Sequence, residues 1–270
     1  MLARIQLPAV YEYVVMSRLA SVLPTALSAL ATLAVGAAQA QEDPSRFHLW
    51  VEAGPAWQSR NDVQIPNDAS GTRFSIADAV GSGPFASARV DFSWALNDRQ
   101  DLRFLVAPLG YEESAALPGD ISFNGASFSG AGPATITYRF DSYRATWRYS
   151  VYEDEEWMVK LGATAKIRDA EIAVEQDGVR SSKTDRGLVP LFHTHAQRRL
   201  GERWRLILDL DALASPQGRA IDFSAQVGYD LGRSFALAGG WRVVDGGADN
   251  ETVYNFARFD YATVSALWRF

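Results

Sequence analysis

From about residue 41 onward, apolar and polar side chains alternate with a period of two, the spacing of β-strands that present one apolar face. In the last run, Phe270, Trp268, Ala266, Val264 and Ala262 fall on one face, while Arg269, Leu267, Ser265, Thr263 and Tyr261 form a mixed one. The pattern is clear mid-chain. Tyr143, Ala145, Trp147 and Tyr149 alternate with Arg144, Thr146, Arg148 and Ser150. Trp157, Val159, Leu161, Ala163, Ala165 and Ile167 alternate with Met158, Lys160, Gly162, Thr164, Lys166 and Arg168. Trp204, Leu206, Leu208 and Leu210 alternate with Arg205, Ile207, Asp209 and Asp211. Ten strands are predicted: 47–58, 86–96, 101–110, 134–151, 157–173, 187–199, 203–214, 219–230, 234–244 and 252–270.

The connections alternate in length. Short ones fall around Asn97–Gln100, Glu153–Glu156, Gly201–Arg203 and Gly232–Ser234. Longer ones are predicted over 59–85, 111–133, 174–186 and 245–251, with a short exception at Ser215–Gly218. Aromatics sit beside the short turns: Trp94, Tyr149, Tyr152, Trp157, Trp204, Tyr229 and Phe235. Within 111–133, Asn124-Gly125 between two short alternating runs is a type I′ hairpin signal. Phe74–Ala77 reads as a short element packed near the same end.

The first 40 residues have a different pattern. Met16-Ser17-Arg18 opens a weakly basic segment, an Ala/Leu-rich run follows from Leu19 to Val35, and Ala38-Gln39-Ala40 fits a small-x-small cleavage site. Residues 1–40 are expected to be a secretory signal peptide cleaved after Ala40, with Met16 as an alternative start; 41–270 is the mature domain. The chain has no cysteine, so no disulfide framework holds it. A net charge of −6 argues against nucleic acid as a partner. A mean hydropathy of −0.12 suits a barrel in which every second strand residue faces lipid.

An even number of strands, turns short at one end and long at the other, flanking aromatics and a terminal Trp268-Arg269-Phe270 together resemble small Gram-negative outer-membrane β-barrel proteins. The resemblance covers 41–270. It implies an all-β, transmembrane, antiparallel up-and-down barrel of about ten strands, with eight or twelve as alternatives. It also implies the outer membrane as location, both termini in the periplasm, and Trp268 and Phe270 as the assembly signal. The expected partners are outer-membrane lipid, lipopolysaccharide and the barrel-assembly machinery, which reads the C-terminal strand; a monomer is expected.

If the apolar faces meet lipid, the other faces line the lumen. That face carries Glu52, Arg89, Asp91, Arg103, Arg144, Arg148, Lys160, Lys166, Arg168, His193, His195, Arg205, Asp209, Asp211, Asp222 and Arg242. Both signs are interspersed, so a charge-paired network filling the barrel is predicted. His193 and His195 share one face of a strand, and Asp209 and Asp211 one face of the next. Counting outward from the turn at Gly201 puts His195 by Asp209 and His193 by Asp211. Such pairs suit acid–base or metal chemistry. Lumenal pairing is the simpler reading, and no metal or cofactor is assigned. His48, beside Trp50, reads as interfacial. The predicted role is structural or that of a narrow pore. Two alternatives stay open: an outer-membrane enzyme acting on lipid A or peptides, and a soluble periplasmic binding module with its apolar face inward.

Overall fold

The structure, a computed structural model, describes residues 45–270; the expected signal peptide lies outside the described residues. Ten strands close a ring. In chain order the first are β1 (Phe47–Gln64), a short β2 (Phe74–Ser75), helix α1 (Ile76–Val80), β3 (Phe85–Asn97), β4 (Gln100–Ala107) and β5 (Gly110–Ala116). A small hairpin, β6 (Ile121–Phe123) and β7 (Ala126–Phe128), follows, and then β8 (Pro133–Glu153) and β9 (Trp157–Gln176). The last five are β10 (Val179–Arg199), β11 (Trp204–Ser215), β12 (Gly218–Asp230), β13 (Phe235–Asp249) and β14 (Tyr254–Arg269). The ring runs β1-β3-β4-β8-β9-β10-β11-β12-β13-β14 and closes by pairing β14 with β1, every pair antiparallel. At the seam Leu49 faces Trp268 and Val51 faces Ala266, so the predicted first and last strands meet. β5 continues β4 along β8. The ladder breaks at Pro108, which has no N–H to donate, and resumes where Phe140 N–H bonds the Leu109 carbonyl at 2.7 Å.

All ten predicted strands are present, but several reach further than the sequence pattern suggested. The predicted loop 174–186 is corrected. β9 and β10 run on to a two-residue turn, Asp177-Gly178, with φ of 52° and 79°. This is an Asp-Gly type I′ hairpin. Most outward residues there, such as Glu175, Arg180 and Thr184, are polar, and a strand standing in water composes like a loop. For the same reason, 59–64 belongs to β1, 111–116 to β5 and 245–249 to β13. Asn124-Gly125, at φ of 47° and 84°, makes the β6–β7 turn. In the short turn before β9, the Asp154 carboxylate accepts the Tyr152 hydroxyl (2.5 Å) and the amides of Trp157 (2.7 Å) and Glu156 (2.9 Å). Those hydrogen bonds, Tyr152 first, hold its carboxyl below the usual carboxylate range.

Outside the ring, exposed apolar side chains form a belt around the strands; a tilted transmembrane strand needs about 9–11 residues. Phe192, Leu188 and Val264 point outward at 74%, 71% and 68% exposure. A soluble module with its apolar face inward would have buried them, so that alternative is overturned. On β8, β9 and β10 the belt ends in one cross-strand row of charged side chains, Asp141, Asp169 and Arg186, and on β14 it ends at Asp260.

At that height the two faces exchange character. In β8, outward Tyr143 and Trp147 with inward Arg144 and Arg148 give way to outward Arg139 and Asp141 with inward Tyr138 and Ile136. In β14, outward Val264 with inward Ser265 and Thr263 gives way to outward Arg258 and Asp260 with inward Phe259. Toward the long-loop end the barrel is therefore an ordinary globular protein with an apolar core. Four rings stack across that core: Phe85 on Tyr111 (centroids 4.1 Å), Tyr111 on Tyr138 (5.5 Å) and Tyr138 on Phe259 (5.7 Å). The region above adds Ile65, Phe74, Ile76 and Phe123, all buried. α1 starts at an N-cap in which Ser75 Oγ accepts the Asp78 amide at 3.1 Å, and it buries Ile76.

Gly54 sits at the β1–β14 seam, where a Cβ would lie 1.9 Å from the Ala262 carbonyl oxygen. Gly54→Ala is expected to destabilise the barrel by about 1–3 kcal/mol, as overpacking does, measured by urea unfolding in detergent micelles. Gly232→Ala, where a Cβ meets nothing within 4 Å, is expected to stay within about 0.5 kcal/mol of the parent.

Candidate functional site

The polar faces converge on the half of the lumen nearer the short turns. Asp222 of β12 is its centre. Its carboxylate accepts from Arg89 at 2.9 Å, Arg144 at 2.7 Å and Arg242 at 2.5 Å. Arg242 Nε also reaches Glu52 at 2.8 Å, and Gln226 bonds the same carboxylate at 2.6 Å. The second arm of Arg144 holds Asp211 at 2.7 Å. Glu52, Asp211 and Asp222 balance Arg89, Arg144 and Arg242, and all six side chains are less than a tenth exposed. Charge-assisted, forked pairing of this kind is what makes such burial tolerable.

Two further clusters flank the centre. Asp101 takes Arg148 at 2.5 Å and Lys160 at 2.6 Å. Arg103 lies between Asp91, which it hydrogen-bonds through Nε, and Asp209 at 2.9 Å. At the turn end Arg205 and Arg269 share Asp230, the latter at 2.8 Å. Two of the predicted network residues stand apart from it. Arg168 pairs with the exposed Asp185. Lys166 has no carboxylate partner among the described ion pairs; its ammonium lies 4.7 Å from the centre of the Phe140 ring.

The histidines face the aspartates by register: His193 opposite Asp211 and His195 opposite Asp209. His193 Nδ1 is 2.9 Å from Asp211 Oδ1, and His195 Nδ1 is 3.1 Å from Asp209 Oδ2. Asp211 Oδ1 also accepts the Thr164 hydroxyl at 2.8 Å, and Thr164 in turn contacts Thr146 at 2.7 Å. A cavity of about 210 Å³ lies on the turn side of these pairs. His195, Asp209, Lys160, Arg205 and Arg269 are on its wall. His48 is there too, so it faces the lumen and not the membrane interface.

Asp101 and Asp230 escaped the sequence reading although their parity was readable. Asp101 shares a face with Arg103, and Asp230 with Asp222. The aromatic stack was also missed. Tyr138 has the parity of Arg144 and Arg148, but Tyr111 fell in a segment read as loop.

The chain matches no protein-family model and no curated protein sequence. Among solved structures it is similar to the outer-membrane protease OmpT of Escherichia coli, with a TM-score of 0.54 at 8% identity, over 86% of this chain and 99% of that one. The Neisserial surface protein NspA is matched at 17% identity and TM-score 0.37, over 85% and 100% of the two chains. The outer-membrane protein AlkL is matched at 14% and 0.40, over 86% and 95%. The fold is that of an outer-membrane β-barrel. With its closed ring and lipid-facing belt, the chain resides in the cell outer membrane.

Asp222→Ala leaves three guanidiniums without their shared carboxylate. It is expected to cost about 3–5 kcal/mol of unfolding free energy, read from the urea midpoint of the detergent-solubilised barrel. Asp185→Ala, whose partner pair is largely open to water, is expected to cost less than about 1 kcal/mol in the same measurement.

Proposed function

We propose that this protein is a non-conducting outer-membrane barrel with a structural role, held rigid by its lumenal ion pairs. The stack Phe85–Tyr111–Tyr138–Phe259 carries this reading. Rings from β3, β5, β8 and β14 span the interior and leave a dry core where a pore would have to pass. A ten-stranded barrel is little wider than the eight-stranded kind that its own side chains fill. The short-turn end faces the periplasm, as in such barrels generally, and the taller β8–β10 wall stands outside the cell.

Lipopolysaccharide is the lipid partner this geometry suits. Arg60, Arg219 and Arg258 lie on the outer wall just above the belt, among the rings of Tyr254 and Phe256. That is the level of phosphate headgroups in the outer leaflet. β14, ending in Trp268-Arg269-Phe270, is the strand the assembly machinery would read. Enzymatic action on lipid A or extracellular peptides finds less support. All three histidines sit within or below the belt, away from the loop end where those substrates lie.

Planar-bilayer recording on the refolded barrel tests the proposal. No stepwise current is expected from protein that shows a heat-modifiable, folded band on gels. Reproducible unit conductance from that material would establish a pore and remove the structural reading.

A further inference from the structure

We propose that His193, His195 and Asp209 form a binding site for a divalent transition-metal cation with the ligand preferences of zinc. Three observations converge on it. First, His193 Nε2 is buried and has no hydrogen-bond partner, although the whole side chain is excluded from solvent. A buried imidazole nitrogen without a partner is costly. Its other nitrogen explains which atom is free. Asp211 Oδ1 receives Nδ1–H at 2.9 Å, and that carboxylate is itself fixed by Thr164 and Arg144. The network thus assigns the proton to Nδ1 and leaves a lone pair on Nε2. A carboxylate behind a histidine in this way orients metal-binding histidines and raises their basicity.

Second, the lone pair points at a second ligand. Nε2 is 3.9 Å from Asp209 Oδ2, too long for a hydrogen bond. The same oxygen is 3.1 Å from His195 Nδ1. Zinc bonds of about 2.0–2.2 Å place tetrahedral ligands about 3.3 Å apart, between those two separations. The His-x-His of β10 and the Asp-x-Asp of β11 supply the set because both motifs keep one face and the register pairs them. His193, Asp209 and Asp211 offer ligand atoms that all lie within 4.8 Å of one another; in the proposed site Asp211 orients His193, and His195, 3.1 Å from Asp209, completes the set. On binding, the proton on His195 Nδ1 moves to Nε2, so the ring stays neutral.

Third, the site is open on one side. Asp209 and His195 line the cavity at the turn end, so the ion and a fourth ligand come from that side. Three protein ligands and one open position is the arrangement of zinc sites that bind a further ligand. The rival is a His193 held between Asp211 and Asp209 as a purely structural contact, with no metal.

Cobalt titration of the untagged, full-length barrel, refolded in metal-free detergent, decides between them. The expected result is one Co²⁺ per chain, with the visible bands of a four-coordinate ion, displaced by Zn²⁺. His193→Gln and Asp209→Asn are expected to abolish the bands. Asp211→Asn is expected to weaken binding about 10–100-fold, and Asp185→Asn, paired with Arg168 away from the site, to leave it unchanged. Because Asp209→Asn also disturbs Arg103 and folding is at stake, the wild-type protein carries the decision. Zn²⁺ is expected to raise its unfolding midpoint. No cobalt bands and no stabilisation of folded wild type, or binding that survives His193→Gln, overturns the site.

Discussion

A strand in hydrocarbon has no water to which a free amide can turn, and that constraint organises everything else here. Each unsatisfied backbone group would cost several kcal/mol, so the ladder must close on itself. Closure falls on β1 and β14, paired from His48–Arg269 to Gln64–Tyr254 with one register shift near Ser59. Once the ring is closed its diameter is set by strand number, and every inward side chain must fit a fixed interior. Gly54 shows how tight this becomes at the seam, where the Ala262 carbonyl occupies the place of a Cβ.

Within that interior the strands meet two solvents in succession. In the belt, lipid takes the apolar faces and polar side chains turn inward, where they must satisfy one another. They do so by sharing: Asp222 holds three guanidiniums, Arg144 bridges two aspartates, and Asp101 pairs with an arginine and a lysine. Above the belt, water takes the charged faces and the apolar residues pack inside. There the outward ion pairs, such as Arg139 with Asp169 at 2.8 Å and Arg219 with Asp245 at 2.7 Å, are part-buried on the outer wall and reach water, unlike the lumenal pairs. The stability of this half rests on the buried rings and aliphatics.

The sequence showed the ring clearly because a period of two survives whichever solvent is outside. Strand number and the His193–Asp211 and His195–Asp209 juxtapositions followed from parity and turn position. Strand length did not. Where the outer face is wet, as in Glu175, Arg180 and Thr184, the segment reads as loop, and even the Asp177-Gly178 signal was passed over. The aromatic stack was harder still, since Phe85, Tyr111, Tyr138 and Phe259 come from four distant strands and no local pattern joins them. Nor does parity reveal which charges pair, because Arg103 and Asp209 are 106 residues apart.

The division of the interior also fixes the direction from which anything reaches the lumen. The aromatic stack and the residues above it seal the loop side, whereas the cavity beside His195 and Asp209 is walled by His48, Lys160, Arg205 and Arg269 near the turns. A solute arriving from the loop side would have to part rings packed 4.1–5.7 Å apart. One arriving from the turn side meets long, paired side chains and no packed core. In the non-conducting barrel proposed above, the charged half belongs with the turn side and the apolar core with the loop side. This asymmetry follows from where along each strand the two faces exchange character, and from nothing else in the topology.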